Sequence, residues 1–283
     1  MKFNEKILRC LSTLVISLTL ITAVAFAEEG SVNWNNGIIR ATGIGAGKPA
    51  YQKKNPGIYR AQAKRAAIMD AQRNLAETVK GVRVTSDSTM EDMILQSDVV
   101  RTRVDEIIKG MSEVSSQYFE DGTYEVVLEM PIFGMSNSLS EAAFIPFKDE
   151  PKISFPSPVD MTILSQSTVI NNNYTGLVID CRGLGGVNPV MSPVIKNANG
   201  QAIYGHQNLD YDKIIVNGMA SYAEDAYDQI SRSRAGSNPL IVKAVTLSDL
   251  NANPVVSVED ADKILAANQY DRFLENCAVV FIR

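Results

Sequence analysis

Few side chains in this sequence are placed to do chemistry together, and the single histidine is the first of them. His206 follows Tyr204-Gly205 in a predicted loop, with Asp210 and Asp212 close behind it. A catalytic triad or a zinc site on His206 would need partners that converge on it from elsewhere in the chain. The two aspartates lack the glycine and the distal glutamate of an EF-hand calcium loop. We therefore predict no catalytic residues, no cofactor and no metal site.

Two cysteines, Cys181 and Cys277, are the next candidate residues. Each lies at the end of an apolar β-type run, and an exported protein meets an oxidising compartment. A disulfide between them would close a loop of almost the whole second domain, worth roughly 4 kcal/mol in the chain-entropy model. The alternative is two buried free thiols, which applies if the two strands are parallel or out of register. The sequence leaves both interpretations open.

Asp180 and Arg182 flank Cys181 and precede a glycine-rich loop at residues 183–186. They support an alternative function, a small-ligand-binding protein or an enzyme with its site in the second domain. An ordinary surface ion pair is the competing interpretation. A deep pocket lined by both side chains would favour the alternative function, whereas a flat surface would favour a scaffold.

A second glycine-rich segment, at residues 43–48, invites comparison with nucleotide-binding loops. A P-loop needs a glycine at position 42 and Ser or Thr at position 49, where this chain has Thr42 and Pro49. A Rossmann fingerprint needs a glycine at position 48, where this chain has a lysine. We interpret the segment as a flexible strand-to-helix loop that ends near Pro56.

The first 27 residues have the pattern of a signal peptide. Three basic residues precede an uncharged apolar run at residues 11–24, and a small-x-small motif ends at Ala27. We expect cleavage between Ala27 and Glu28. The apolar run is shorter than the roughly 20 residues that a membrane span needs, so we interpret it as part of a cleaved signal and not as a membrane anchor. We expect no membrane span in the mature chain.

The charge balance argues against two classes of partner. The full chain has 27 basic and 32 acidic residues, and removing residues 1–27 takes away three basic residues and one acidic residue, which leaves 24 against 31 and a net charge of −7. An acidic chain is a poor partner for nucleic acid or for an anionic membrane surface. The composition, 45% hydrophobic and 21% charged over 283 residues, is typical of one or two globular domains.

The best-defined stretch, residues 58–84, is an alanine-rich helix that ends at Lys80-Gly81 and runs into a strand at residues 82–85. Apolar residues, most of them small, recur at every fourth position of its inner face: Ala63, Ala67, Ala71 and Leu75. We expect this face to lie close against a sheet, because little side-chain volume would separate the two backbones.

The other elements of the first domain alternate in type. Residues 32–44 are predicted to form a strand with a turn at Asn36-Gly37, residues 91–110 a helix with a break near Ser97-Asp98, and residues 111–133 a hairpin across Asp121-Gly122. The order strand, helix, strand, helix, hairpin predicts a compact α+β sandwich over residues 31–134.

An ordered series of motifs within this domain has a family likeness. The motifs are A-T-G-I-G-A-G (41–47), A-x-x-x-A-x-x-x-A-x-x-x-L (63–75), A-E-T-V-K-G-V-R-V (76–84), E-I-I-K-G-M (106–111) and D-G-T-Y-E-V-V-L-E-M-P-I (121–132). Over residues 38–134 they resemble the LPP family of twenty-kilodalton bacterial lipoproteins and the related N-terminal domain of flagellar assembly protein T. The resemblance implies an envelope protein of α+β fold and brings no catalytic residues. Those lipoproteins carry a lipidated cysteine at their mature start, where this chain has Glu28, so we do not infer a lipid anchor.

Four prolines punctuate residues 135–173, which we interpret as a semi-rigid linker. Residues 174–283 are predicted to form a second α+β domain. Its predicted elements are strands at 175–181, 213–217, 240–247 and 277–282, a hairpin at 191–204, and helices at 219–230 and after Ser257. The last strand is placed to pair with the first.

These patterns predict an exported, non-enzymatic cell-envelope protein that acts as a binding or assembly module. The predicted partners are envelope or flagellar proteins, or cell-wall components.

Overall fold

The computed structural model describes residues 29–159 and 173–283. The predicted signal peptide, its cleavage site between Ala27 and Glu28, and part of the predicted linker lie outside these residues. The described residues form eight α-helices and twelve strands in three sheets, so the predicted α+β class is confirmed.

The first domain packs helices against a four-stranded antiparallel sheet of order β1-β2-β4-β3. Its elements are β1 (Gly30–Asn33), β2 (Ile38–Ala46), α1 (Pro49–Gln52), α2 (Pro56–Lys80), α3 (Met90–Gln96), α4 (Asp98–Lys109), β3 (Glu113–Tyr118) and β4 (Thr123–Pro131). The predicted turn at Asn36-Gly37 and the hairpin across Asp121-Gly122 are confirmed. The predicted helix break is also confirmed, because Ser97 ends α3 and its Oγ accepts a hydrogen bond from Val100 N (3.3 Å) at the start of α4.

The alanine face of α2 lies directly against β2. Ala63, Ala67 and Ala71 are fully buried. A Cβ atom at Gly43 would overlap the backbone of Ala71, and one at Gly45 would overlap the backbone of Ala67. The two backbones therefore touch with no layer of side chains between them, as the alanine face predicts. The predicted flexible loop from residue 43 is wrong, because these glycines belong to the strand and make room for the helix.

Polar side chains of α2 also bind the part of β2 that β1 leaves unpaired. β1 pairs only with residues 38–41. Further along, the hydrogen bonds run from Ile44 N to Asp70 Oδ2 (3.0 Å), from Lys48 N to Gln62 Oε1 (3.1 Å) and from Asn74 Nδ2 to Thr42 O (2.8 Å). Four residues of a helix rise about 6 Å, and two residues of a strand rise about 6.6 Å. Because these two repeats nearly match, side chains at every fourth position of the helix reach backbone groups at every second position of the strand. The helix thereby covers an otherwise open sheet edge.

Residues 82–85 do not form the predicted strand. They contribute one isolated bridge, between Arg83 and Thr89. Their outward carbonyl groups are used by the second domain instead, since Arg83 O accepts from Met191 N (3.0 Å) and Val84 O accepts from Ser192 N (2.7 Å). The β-type residues here belong to the contact between the two domains.

Residues 138–144 of the predicted linker at 135–173 are packed, whereas most of the described residues 146–159 are exposed. Leu139 and Phe144 are fully buried around α5 (Ser140–Ala143). Ser140 Oγ donates a hydrogen bond to Ile215 O of the second domain (2.8 Å). One apolar core runs through both domains. The linker interpretation is therefore wrong for residues 138–144, because their apolar side chains, which precede the first proline of the segment at Pro146, are buried at the junction between the domains.

The second domain contains two four-stranded sheets, one of order β8-β12-β5-β9 and one of order β10-β11-β6-β7. Its elements are β5 (Gly176–Asp180), β6 (Ile195–Asn197), β7 (Ala202–Tyr204), α6 (Tyr211–Asn217), β8 (Ser221–Ala223), α7 (Gln229–Ala235), β9 (Pro239–Lys243), β10 (Thr246–Ser248), β11 (Asn253–Val256), α8 (Val258–Asp271) and β12 (Val279–Ile282). The first sheet is parallel throughout. Its central strands are buried on both faces, which is usual for parallel sheets.

Two predicted elements of this domain are wrong. Residues 213–217 form the end of helix α6, because the Asp210 side chain accepts from the N–H of Asp212 and caps the helix (3.1 Å). Residues 219–230 are divided between β8 and the start of α7, which Asp228 caps through Ser231 N (2.7 Å). Short capped helices of seven residues give too little periodicity to be told from strands.

The candidate disulfide between Cys181 and Cys277 does not form, and both cysteines are free, buried thiols. β12 pairs with β5 as expected, but the pair is parallel, with Val279 opposite Leu177. Cys277 precedes the start of its strand and Cys181 follows the end of its own. The two thiols therefore lie at opposite ends of the pair, more than roughly 10 Å apart and beyond the reach of a disulfide.

Candidate functional site: a polar cleft between the domains

A polar cleft of about 620 Å³ lies where the turn between β1 and β2 faces the second domain. The turn contributes Asn35 and Asn36. The second domain contributes Asn217 at the end of α6, Ser221 at the start of β8 and Asn276 before β12. One side of α7 completes the lining with Gln229, Ile230, Ser233 and Arg234. The volume is in the range of small-molecule sites.

The lining is chemically uniform, since amide and hydroxyl groups make up most of it. An amide side chain both donates and accepts hydrogen bonds. An adjoining cavity of about 210 Å³ shares Asn35 and Asn36 and adds Trp34 and Tyr222 to the wall. These two rings pack edge to face, with their centroids 5.8 Å apart. Amides beside an aromatic surface suit a ligand that has both hydroxyl groups and C–H faces, which is the chemistry of a sugar.

Contacts between the domains fix the two sides of the cleft relative to each other. Gly134 N donates to Ile215 O (3.0 Å). Arg283 Nη2 donates to Asn35 Oδ1 (3.0 Å). Together with the Trp34–Tyr222 packing, these bonds hold the first-domain turn over the second domain.

Arg234 is the one charged residue among the described residues that line the cleft. Its Nη1 and Nη2 donate to Asn217 O (2.5 Å) and Gly218 O (2.6 Å), so it caps the end of α6. Its Nε is buried without a hydrogen-bond partner. Burial lowers the pKa of the Arg234 guanidinium from its ordinary value. Within the described part of the chain, no carboxylate forms an ion pair with it.

Asp180 and Arg182 are together in the structure, but as a surface ion pair outside the cleft. Arg182 Nε and Nη2 donate to the two carboxylate oxygens of Asp180 at 2.9 and 2.8 Å. The hydrogen bond from Arg182 lowers the pKa of Asp180, so this carboxyl is not poised to act as an acid. About half of the Arg182 side chain is exposed. The pair follows the end of β5, whereas the cleft lies near the starts of β8 and β12.

Two side chains from distant parts of the sequence converge on His206. His206 Nε2 lies 3.0 Å from Glu150 Oε2, and Nδ1 lies 3.5 Å from Ser192 Oγ. Burial raises the pKa of Glu150, but hydrogen bonds from His206 and Gln207 outweigh it and leave the pKa below its ordinary value.

The order serine, histidine, carboxylate is that of a hydrolase triad. Only 3% of the surface of Ser192 is exposed, and 3.5 Å is too long for a firm hydrogen bond. The serine hydroxyl is therefore not presented to a substrate. The imidazole instead packs on Phe147, with centroids 4.6 Å apart, and holds the segment around Glu150 against the second domain.

The cleft residues were missed at the sequence level because they come from separate segments of both domains. Asn35, Asn217, Arg234 and Asn276 are far apart in the sequence and form no motif with a recognisable spacing.

Within residues 29–159 and 173–283, no group of three or more His, Cys, Asp or Glu side chains is arranged to hold a metal ion. The helices of the same residues include none with the length and apolar character needed to cross a membrane.

Comparison with known families gives one match for each domain. Residues 41–130 match the model of the LPP20 lipoprotein family. Residues 176–283 match a model described as the second domain of Treponema pallidum Tp0624. A comparison with curated proteins found no match. The predicted resemblance to the LPP family is confirmed for the first domain, and the two matches fit the predicted arrangement of two domains.

Proposed function

We propose that this chain is an exported, non-enzymatic binding module of the cell envelope that takes a cell-wall saccharide in the cleft between its domains. The cleft itself is the observation that carries the proposal: both domains supply amide groups to one concave surface, beside an aromatic wall. The lipoprotein-family match of the first domain fits an exported, envelope-associated protein.

Binding of soluble cell-wall fragments to the purified protein tests the proposal. Ser233 lies on the exposed side of α7 within the lining, so Ser233→Trp should fill the cleft and abolish binding. Ser115→Trp is the matched control, because Ser115 is exposed on β3, which lies at the opposite edge of the first-domain sheet from β1. Equal binding by the two variants would place the ligand elsewhere.

Export has its own test. N-terminal sequencing of protein from the periplasmic fraction should begin at Glu28. An intact Met1 in the membrane fraction would contradict it.

A role in flagellar assembly stays a prediction that rests on the resemblance to flagellar assembly protein T. If that role is correct, the protein should co-purify with flagellar basal bodies that are still attached to the envelope, and it should be absent from basal bodies that have been stripped from the envelope.

The alternative function places a ligand or enzyme site at Asp180 and Arg182. It predicts that Arg182→Gln abolishes ligand binding, whereas a binding site in the cleft predicts no change.

A further inference from the structure

Arg234 has fewer partners in the cleft than its charge requires. A guanidinium carries five N–H donors, and two of them are used by the carbonyl groups of Asn217 and Gly218. No carboxylate among the described residues balances its charge. A partly buried cation without a counter-charge is costly to a fold, so a ligand that brings an anion gains more here than at a fully exposed arginine.

Two amides that line the same cleft as Arg234 have NH₂ groups available to a ligand. Asn35 Oδ1 accepts from Arg283 Nη2 (3.0 Å), and Asn276 Oδ1 accepts from Lys213 Nζ (3.0 Å). With each oxygen held by a cation, the NH₂ group is the free polar end of both amides. The described lining includes no acidic residue. The site is therefore rich in donors and positively charged.

We propose that Arg234, with the NH₂ groups of Asn35 and Asn276, forms a carboxylate-binding subsite, so that the cleft selects an acidic cell-wall saccharide over a neutral one. This inference rests on the proposed function and specifies the ligand of the same cleft. A carboxylate matches the planar fork of a guanidinium and the flanking N–H donors. Charge-assisted hydrogen bonds of this kind contribute enough to change affinity by about tenfold or more.

The test compares N-acetylmuramic acid with N-acetylglucosamine, which differ by the lactyl ether that bears the carboxylate. Equilibrium titration of the purified protein should show at least about tenfold tighter binding of the acidic sugar. That preference should shrink as sodium chloride is raised. Arg234→Gln should remove the preference and leave weak binding of the neutral sugar.

Because Arg234 also caps α6, a second variant is needed that leaves the arginine in place. Asn276→Asp keeps an oxygen for Lys213 and adds a carboxylate to the lining that Arg234 shares, so it should abolish the preference for the acidic sugar without loss of folding. Arg182→Gln, outside the cleft, should leave the preference unchanged.

Equal affinity for the two sugars in the unmodified protein would overturn the carboxylate subsite while leaving the cleft as a sugar site. Preferential binding of D-alanyl-D-alanine would overturn it in favour of a peptide carboxylate. A failure to bind any wall fragment would overturn the proposed function itself.

Discussion

The two domains place their residues by different means. In the first, a 25-residue helix lies on the sheet in backbone contact, and alanine and glycine meet at matched spacings. In the second, a parallel sheet joins four strands from residues 176 to 282, and its short helices depend on single capping residues. Packing of the first domain is thus encoded by local sequence patterns, whereas the buried thiols of the second domain, and the cleft that both domains share, depend on which distant segments meet.

The largest expected effect concerns the backbone contact between α2 and β2. Gly45→Ala should destabilise the protein by about 3 kcal/mol or more, because a Cβ there overlaps the backbone of Ala67, which has no flexible end to move. The second-domain control is Gly183→Ala, where φ is +82° and space is open, so only the left-handed strain of about 1 kcal/mol applies. Urea titrations give both values, and similar losses would show that the close contact is not special.

Ala67→Leu tests the same contact from the helix side. Ala67 is fully buried against β2, so overpacking should cost about 1–3 kcal/mol. Arg65→Ala, on the exposed side of the same helix, should stay within about 0.5 kcal/mol. Equal losses in a denaturant titration would mean that the helix faces the sheet with a different side.

The sequence predicted the locally encoded elements of the first domain better than the long-range contacts of the second domain. The alanine stripe and the Asp121-Gly122 turn are local signals, so the helix and the hairpin were predicted correctly. Gly43 was misread as loop because only the finished contact shows why a strand needs glycine there. In the second domain, β12 was correctly paired with β5, but nothing local states whether such a pair is parallel. Because the pair is parallel, Cys181 and Cys277 lie at opposite ends of it, and the candidate disulfide does not form.

An acid titration should reveal a smaller contribution from the second domain. Hydrogen bonds from Asn253 and Lys196 lower the pKa of Asp249 to about 2. A carboxyl whose folded pKa is depressed stabilises the protein above its unfolded pKa, and that stability is lost as pH falls through the folded value. We expect a loss of about 1 kcal/mol between about pH 4 and pH 2, reduced for solvent screening because Asp249 is partly exposed. Chemical unfolding at several pH values measures it, and Asp249→Asn should lack this part of the pH dependence.

The smallest expected effect is that of a reductant, which should change nothing. Burial raises the pKa of Cys181 to about 12 and also raises that of Cys277, so both thiols should be unreactive in the folded protein. Thiol titration of the cleaved protein, denatured without reductant, should count two thiols. A count of zero, with a lower unfolding temperature after reduction, would restore the disulfide and contradict the parallel pairing of β5 and β12.

The measurement that tests the central claim most directly is a ¹H–¹⁵N NMR titration with soluble cell-wall fragments. The side-chain NH₂ groups of Asn35 and Asn36 report on the first domain, those of Asn217 and Asn276 report on the second, and Arg234 Nε–H reports from within the cleft. A ligand bound between the domains should shift all of these signals together, along one saturation curve. Shifts confined to one domain, or centred on Arg182, would contradict a binding site shared by the two domains.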